Sequence, residues 1–492
     1  MTPADWIDRH AAFEPGKTAI RFCDRDLSYA DLAASIARRA GYLAAAGIGR
    51  GDRVVWLGLN SPEMLVLLFA CARLGAILAP LNWRLARREH EALLADCAPK
   101  VILVEPEYPL PGATVVDAAF AAAAEAARPI ASGLGSADDA LLLCYTSGTT
   151  GKPKGALLSQ GALLANAINS AHMHDLTSAD IVLTTLPMFH VGGLNIQTLP
   201  ALHAGARVVL HRRLDPNETL EALRAERPTL TVLVPTQLHA LMADRRWTAE
   251  TLASLRAIAT GSTIVSAALA REVQRLGVPV QQIYGSTETA PIAAYQRRAD
   301  ALAKPGSTGK PALHAEIRIV DDDGRDVQPG ALGEILVRGA HVMSSYWNDP
   351  DATRAAFIDG WFRTGDIGHF DADGDLWVKD RKKDIIVSGG ENIASAEVEM
   401  ALLDHPKIAE CAVVGRPDAY WGEVAVAVIA PRPGERLELR EVAAFCEGRL
   451  ARYKHPRDML IVAALPRNAM GKVVKDELRR MLRPPSPVAA SA

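Results

Sequence analysis

The run Tyr145-Thr-Ser-Gly-Thr-Thr-Gly-Lys-Pro-Lys-Gly155 crowds hydroxyls, glycines and lysines into one turn after the apolar stretch 140–144. That is phosphate-handling composition: glycines let backbone N–H groups approach an anion, hydroxyls add donors, and lysines bring positive charge. The bland alternative is a flexible surface loop. A Walker A loop is excluded, because Gly148 and Gly151 stand too close together and Pro153 follows Lys152 where a Ser or Thr magnesium ligand is needed. Other reactive side chains follow: Glu288 in Tyr284-Gly-Ser-Thr-Glu-Thr289, Asp366 ending Trp361-Phe-Arg-Thr-Gly-Asp366, and Lys472 ending Pro466-Arg-Asn-Ala-Met-Gly-Lys472. Read singly, each has an ordinary explanation, respectively a helix N-terminal acid, a turn aspartate and a solvated lysine.

Taken in chain order, these motifs resemble the signatures of the adenylate-forming (AMP-binding) superfamily, in its acyl-CoA synthetase branch. Pro187-Met-Phe-His190, Gly333-Glu-Ile-Leu-Val-Arg-Gly339 and Asp380-Arg-Lys-Lys-Asp384 extend the match over nearly the whole chain. Several ordered motifs together are far more specific than any one. The resemblance implies an α/β fold: a large N-terminal domain of α/β sheets with a β-barrel-like subdomain, then a small mobile α+β C-terminal lid. It also implies an acid–thiol ligase. A carboxylate attacks the α-phosphate of ATP, pyrophosphate leaves, and the acyl-adenylate then passes its acyl group to CoA with release of AMP.

Under the resemblance, Thr146, Ser147, Gly148, Thr149, Thr150, Gly151 and Lys154 hold the β and γ phosphates. Thr287 donates to the α-phosphate, and Glu288 holds the Mg²⁺ that bridges phosphate oxygens. Tyr284 and Gly285 face the adenine, while Asp366 and Arg381 take the ribose hydroxyls. Relatives often carry Gly-Gly-Ala-Pro-Leu where this chain has Gly261-Ser-Thr-Ile-Val265, so only a backbone contact at Ser262 is carried over. Lys472 serves adenylation by reaching both the substrate carboxylate and the α-phosphate. Lys383 occupies the hinge, Ser388, Gly389 and Gly390 let pantetheine pass close to the backbone, and Trp421 belongs to another CoA-side segment of the lid.

The acyl pocket is assigned to His190, Val191, Gly192, Asn195, Thr236, Gly261, Thr289 and Ala290, with His190 beside the acyl group. Amino-acid-activating relatives carry Asp immediately after the aromatic residue; here His190 follows Phe189. None of the pocket residues is Lys or Arg, so a second carboxylate would be buried without a cationic partner. Small residues leave volume, and the main expectation is an apolar medium- or long-chain fatty acid. The alternatives are an aryl acid of hydroxycinnamate or benzoate type, an enzyme loading a carrier protein, a luciferase-type oxygenase, and a catalytically inactive ATP- or adenylate-binding protein.

Positioning these groups requires a large scaffold, and 492 residues suffice for about two to four domains. Hydrophobic residues make 49% and charged residues 23%, which excludes a disordered or coiled-coil chain. Lys plus Arg minus Asp plus Glu is 54 − 57 = −3, so no global basic field draws the chain to nucleic acid. Short apolar runs such as 52–58 and 100–104 alternate with helical stretches such as 29–46, the rhythm of α/β units. The greasy stretch 64–81 is interrupted by Arg73 and Gly75 and reads as a buried helix running into a strand, too short for a membrane span. The expected domains are 1–380 (barrel-like from about 306), a hinge at 381–384, a lid at 385–483 and a frayed tail at 484–492. Scattered cysteines and an acidic N-terminus suggest a reducing cytoplasm. The expected partners are a small-molecule carboxylic acid, ATP and CoA; a homodimer is left open. Asp371-Ala-Asp-Gly-Asp375 is expected to be a hairpin turn, because its Gly falls one place too early for a calcium loop and no distal Glu follows.

Overall fold

A computed structural model describes residues 2–131, 135–146, 153–261, 265, 267–388, 391–418, 420–468 and 471–482. The expected tail at 484–492 lies outside the described residues. The chain divides into two compact units: 1–318 with 336–364 and 370–377, and 319–335 with 365–369 and 378–492.

The first unit is built on two sheets. One runs in the order Lys310–Pro311, Ala294–Tyr295, Val280–Tyr284, Ala257–Thr260, Leu230–Val232, Ile181–Thr184, Arg207–Leu210, Thr18–Phe22, Arg25–Ser28. Its six central strands, from Val280–Tyr284 to Thr18–Phe22, pair in parallel. The other sheet runs Ser345–Tyr346, Lys154–Ser159, Ala140–Thr146, Ile77–Leu81, Arg53–Leu57, Val101–Val104, Thr114–Val115. Parallel strands buried on both faces read as continuous apolar runs, and Ile77-Leu-Ala-Pro-Leu81 is buried at every position. The helix Pro62–Leu74 before it starts with proline at its first turn and stops at Gly75, whose φ of 66° ends the helix in the left-handed region. Every residue from Met64 to Leu74 is buried, as the greasy stretch predicted. Arg73 is tolerated there because Asp8 pairs with it at 2.6 Å and the carbonyl of Ile130 accepts from it at 2.7 Å.

A smaller sheet, in the order Glu316–Val320, Gly333–Arg338, Trp361–Phe370, Phe357–Ile358, with Leu376–Arg381 on Trp361–Phe370, supplies the barrel-like part. In the second unit, Glu391–Ala394, Ile385–Ser388, Gly422–Pro431 and Ile408–Asp418 form an antiparallel sheet, to which Asp458–Ile461 adds in parallel. The helices Ser395–Leu403 and Leu439–Cys446 bury Val398, Leu402 and Val442 against it. That is the α+β lid fold the sequence implied.

The hairpin at 371–375 is held by a lysine. Lys304 Nζ lies 2.9, 2.7 and 2.7 Å from the carboxylates of Asp371, Asp373 and Asp375, the position a cation would take. Burial alone would raise the Asp371 pKa, but donors from Lys304, Trp377 and the backbone outweigh it and hold that carboxyl well below the usual range. A depressed carboxyl stabilises the fold above its unfolded pKa, near 4, and ceases to do so as pH falls through the folded value. Lys304→Met should therefore lower Tm by a few degrees at pH 7, and the gap from wild type should close below about pH 4 in thermal melts across pH. A gap independent of pH would show that the ion cluster is not what stabilises the hairpin.

Candidate active site

Within the first unit, the strand Ala140–Thr146 leads into the phosphate-type turn and Lys154–Ser159 leads out, paired antiparallel so that Thr146 faces Lys154. The Thr146 hydroxyl donates to the Lys154 carbonyl at 3.2 Å. Ser147, Gly148, Thr149, Thr150 and Gly151 between them lie outside the described residues, as do Ser262, Gly389 and Gly390. Ser345–Tyr346 adds antiparallel to the outgoing strand, and the Lys154 ammonium stands 5.0 Å from the centroid of the Tyr346 ring. The Tyr346 hydroxyl in turn donates to Glu288 Oε1 at 2.8 Å. Lys154, Tyr346 and Glu288 are thus one connected group.

The crest of the parallel sheet explains how Glu288 is presented. After the strand Val280–Tyr284 the chain turns through Gly285 into a single helical turn, Thr287–Thr289. Gly285 admits no other residue: a Cβ there would sit 1.7 Å from the Pro291 carbonyl oxygen. Thr289 folds its hydroxyl back on the turn, accepting from Ser286 N at 2.9 Å and donating to Ser286 O at 3.1 Å. Met343 N donates to the Glu288 carbonyl at 2.7 Å. Glu288 is half-buried, Thr287 is buried, and no bond to Glu288 Oε2 occurs among the described residues. The charge of Glu288 is felt at Cys144, whose thiol is pushed up to about 12, first by burial and then by that carboxylate.

The acyl-pocket residues divide. His190 caps the short helix Val191–Asn195, its Nδ1 accepting from Gly192 N at 3.0 Å. Gly193 must be glycine, since a Cβ would lie 2.3 Å from the Pro187 carbonyl oxygen. Val191, Gly192 and Asn195 are buried in this helix, and Asn166 ties it to the crest turn by donating to Asn195 O at 2.7 Å and accepting from Ile292 N at 3.2 Å. Gly261 and Ala290 are buried, with Gly261 backed by the Ile283 carbonyl. Thr236 is exposed on the first turn of Pro235–Met242. Tyr284 is buried at the end of its strand.

The second unit carries the remaining predicted residues. Arg381 Nε meets Asp366 Oδ1 at 3.0 Å, so the two residues assigned to ribose are neighbours. Lys383 lies in the turn Lys382–Asp384 and pairs with Asp476 at 3.3 Å. Lys472 follows Gly471, whose φ of 79° is left-handed, and its backbone N donates to Asn468 Oδ1 at 3.0 Å. Ser388 is buried beside Gly422, and the Arg457 guanidinium stacks 4.0 Å from the Trp421 ring centroid. Sequence reasoning missed Tyr346 and Met343. Only their place just after the Gly333–Arg338 strand hinted at them.

The family model described as AMP-binding enzyme matches residues 7–347, and that described as AMP-binding enzyme C-terminal domain matches 397–472. The chain belongs to the AMP-binding enzyme family. It is 56% identical over 503 residues to an indoleacetate–CoA ligase of Aromatoleum aromaticum, covering 98% of each chain. It is 42% identical over 486 residues to a feruloyl-CoA synthase of an Amycolatopsis species, covering 96% of this chain and 98% of that one. Among solved structures, o-succinylbenzoate CoA synthetase (MenE) of Bacillus subtilis in complex with ATP and magnesium ion is similar with a TM-score of 0.89 at 34% identity, over 96% of this chain and 99% of that chain. The chain is an AMP-forming acid–thiol ligase, an acid–CoA ligase.

Tyr346→Phe keeps the ring against Lys154 and removes the hydroxyl from Glu288. Acid-dependent pyrophosphate release should fall about tenfold, and the Mg²⁺ concentration giving half-maximal rate should rise. Unchanged rate and unchanged Mg²⁺ dependence would remove the hydroxyl from the machinery.

Proposed function

We propose that the chain joins an aromatic or arylacetic carboxylic acid to CoA through an acyl-adenylate, using ATP and Mg²⁺. The observation that carries this reading is the 56% identity, over 98% of both chains, to a ligase named for indoleacetate. A second relative at 42% identity is named for feruloyl-CoA, another aromatic acyl group. The aryl alternative is thereby better supported than the medium- or long-chain fatty acid that was the main expectation from sequence. Carrier-protein loading has no comparable support.

The chemistry follows from the residues. A carboxylate oxygen of the acid attacks the α-phosphorus of ATP, the α–β bridging bond breaks, and pyrophosphate leaves with its electron pair. The thiol of CoA then attacks the acyl carbonyl, loses its proton, and expels AMP. Lys154 and Thr146 bind the outer phosphates, Thr287 donates to the α-phosphate, and Asp366 with Arg381 orients the ribose. Glu288 fits a hard cation: a half-buried carboxylate with Tyr346 on one oxygen and, among the described residues, nothing on the other. Mg²⁺ held there would neutralise phosphate charge. Lys472 stabilises charge in adenylation only, and Lys383 is the pivot that moves it away for the thiol. No described helix is long and apolar enough to cross a membrane. A cytoplasmic site of action suits the soluble substrates.

Two measurements test the reading. Pyrophosphate release over a panel of acids, with and without CoA, should favour indoleacetate- or cinnamate-type acids over decanoate and over malonate. A monotonic rise along the fatty acids would restore the aliphatic reading. Separately, Lys472→Ala should lower acid-dependent pyrophosphate release by about 10²–10³-fold while thioester formation from a supplied acyl-adenylate survives. Equal loss of both steps would refute that role. Lys383→Pro should do the converse, slowing thioester formation and sparing adenylation.

A further inference from the structure

Asp96 stands in the last turn of the helix Arg87–Cys97 and belongs to none of the motifs that carry the family resemblance. On local grounds an acid is badly placed there: it opposes the helix dipole and adds negative charge beside carbonyls that have no intrahelical donor. Its surroundings show what holds it. Arg53 spans the helix end, donating from Nε to Cys97 O at 2.9 Å and from Nη2 to Ala98 O at 2.6 Å. The Tyr145 hydroxyl donates to Asp96 Oδ2 at 2.7 Å, and the Asp96 carbonyl accepts from Trp347 Nε1 at 3.1 Å and from Asn348 Nδ2 at 2.9 Å. Burial first, and then Asp96, push the Tyr145 phenol above its ordinary pKa, so it stays protonated and is the donor.

These partners converge on one stretch of sheet. Tyr145 is paired opposite Gly155 on the strand that enters the phosphate-type turn, one place before Thr146. Trp347 follows Tyr346, the residue bonded to Glu288, and its backbone N donates to Gly155 O at 2.7 Å. Gly155, one place after Lys154, is flanked by both: a Cβ on it would lie 3.2 Å from Tyr145 Cε1, 3.2 Å from Trp347 Cβ and 2.6 Å from Leu143 Cδ1. Arg53 closes the group, its guanidinium 5.3 Å from the Trp347 ring centroid. One residue outside the turn thus bonds by its side chain to the strand entering it, and by its main chain to the segment beside the strand leaving it.

We propose that Asp96 is a positioning residue for ATP: through Tyr145 and Trp347 it holds Thr146 and Lys154 where they bind the outer phosphates. This rests on the reading above that those two residues take the β and γ phosphates, and it adds a partner 49 positions upstream of Tyr145. Binding sites that must surround a flexible polyphosphate gain from donors held in place beforehand, since less order has to be imposed on association. AMP lacks the outer phosphates. Its binding is therefore independent of Asp96, which separates a positioning role from general support of the fold.

Calorimetric binding of MgATP and of AMP to the full chain tests it. Asp96→Ala and Tyr145→Phe should each weaken MgATP about tenfold and leave AMP within about twofold of wild type. Both changes together should cost little more than either alone, because they break the same bond. Asp96→Asn keeps an acceptor oxygen for the phenol and should recover most of the lost affinity. Retained AMP binding also reports that a variant has folded; should Asp96→Ala fail that check, Tyr145→Phe, which deletes one oxygen, decides. MgATP affinity within about twofold of wild type in Tyr145→Phe would overturn the proposal. So would an equal loss for MgATP and AMP, which would make Asp96 a support of the fold. Lys154→Ala is the control for the underlying reading. Weaker MgATP binding there, with Tyr145→Phe unaffected, would overturn the role of Asp96 alone. Unaffected MgATP binding in Lys154→Ala would overturn the assignment of Lys154, and the role of Asp96 with it.

Discussion

Two hydrogen bonds to a single residue hold the first unit's reactive parts in register. Met343 N donates to the Glu288 carbonyl at 2.7 Å and the Tyr346 hydroxyl to its carboxylate at 2.8 Å. Glu288 stands at the crest of the parallel sheet, whereas Tyr346 belongs to the sheet that carries Lys154. Lys154 and Glu288 are carried by different sheets, and this contact joins them. Catalysis of phosphoryl chemistry is largely positioning plus electrostatics, so in the proposed mechanism a contact between the lysine's sheet and the carboxylate bears on the chemistry. Gly285 serves the same end: without its bare backbone the chain could not pass Pro291 and present Thr287 and Glu288 at the crest.

The second unit shows comparable economy around its turn at 382–384. Asp380 accepts from the Ser395 hydroxyl at 2.5 Å and from Ala396 N at 3.1 Å, while Arg479 reaches Asp384 at 2.5 Å and Asp476 at 2.7 Å. Lys475, at the head of the helix Lys475–Met481, pairs with Glu399 at 2.8 Å. Burial opposes its charge, but Glu399, Asp380 and Asp384 prevail and raise its pKa. The helix that begins three residues after Lys472 is therefore bonded to the segment that carries Lys383. In the proposed cycle, a change of backbone angle at Lys383 would act on a helix that is ion-paired to its turn and begins three residues after Lys472.

How much of this was legible in the sequence depends on how far apart the cooperating residues lie. The family and its chemistry were readable because ATP, Mg²⁺ and a carboxylate demand particular residue types in short runs, from Tyr145 to Gly155 and from Tyr284 to Thr289. The buried helix Pro62–Leu74 was readable from its unbroken apolar content and the glycine that ends it. The bond between Tyr346 and Glu288 was not, since 58 positions separate them and a tyrosine after a strand is unremarked. Likewise the 371–375 turn was recognised, but its lysine partner at 304 was not. The class of acid was the least legible part, for a physical reason. Small residues such as Gly192 leave volume for an alkyl tail and for an aromatic ring alike, so the residue types of the assigned pocket do not separate the two.

In the proposed mechanism the metal and the phosphates meet at the Glu288 turn, which Tyr346 braces. A crystal structure of the protein with ATP, an arylacetic acid and Mn²⁺ in place of Mg²⁺ tests it directly through the metal's anomalous signal. The expected result is a peak about 2.1 Å from Glu288 Oε2, with Tyr346 still bonded to Oε1 and the phosphates extending toward Lys154. A peak held by other side chains, with Glu288 outside the coordination sphere, would contradict it.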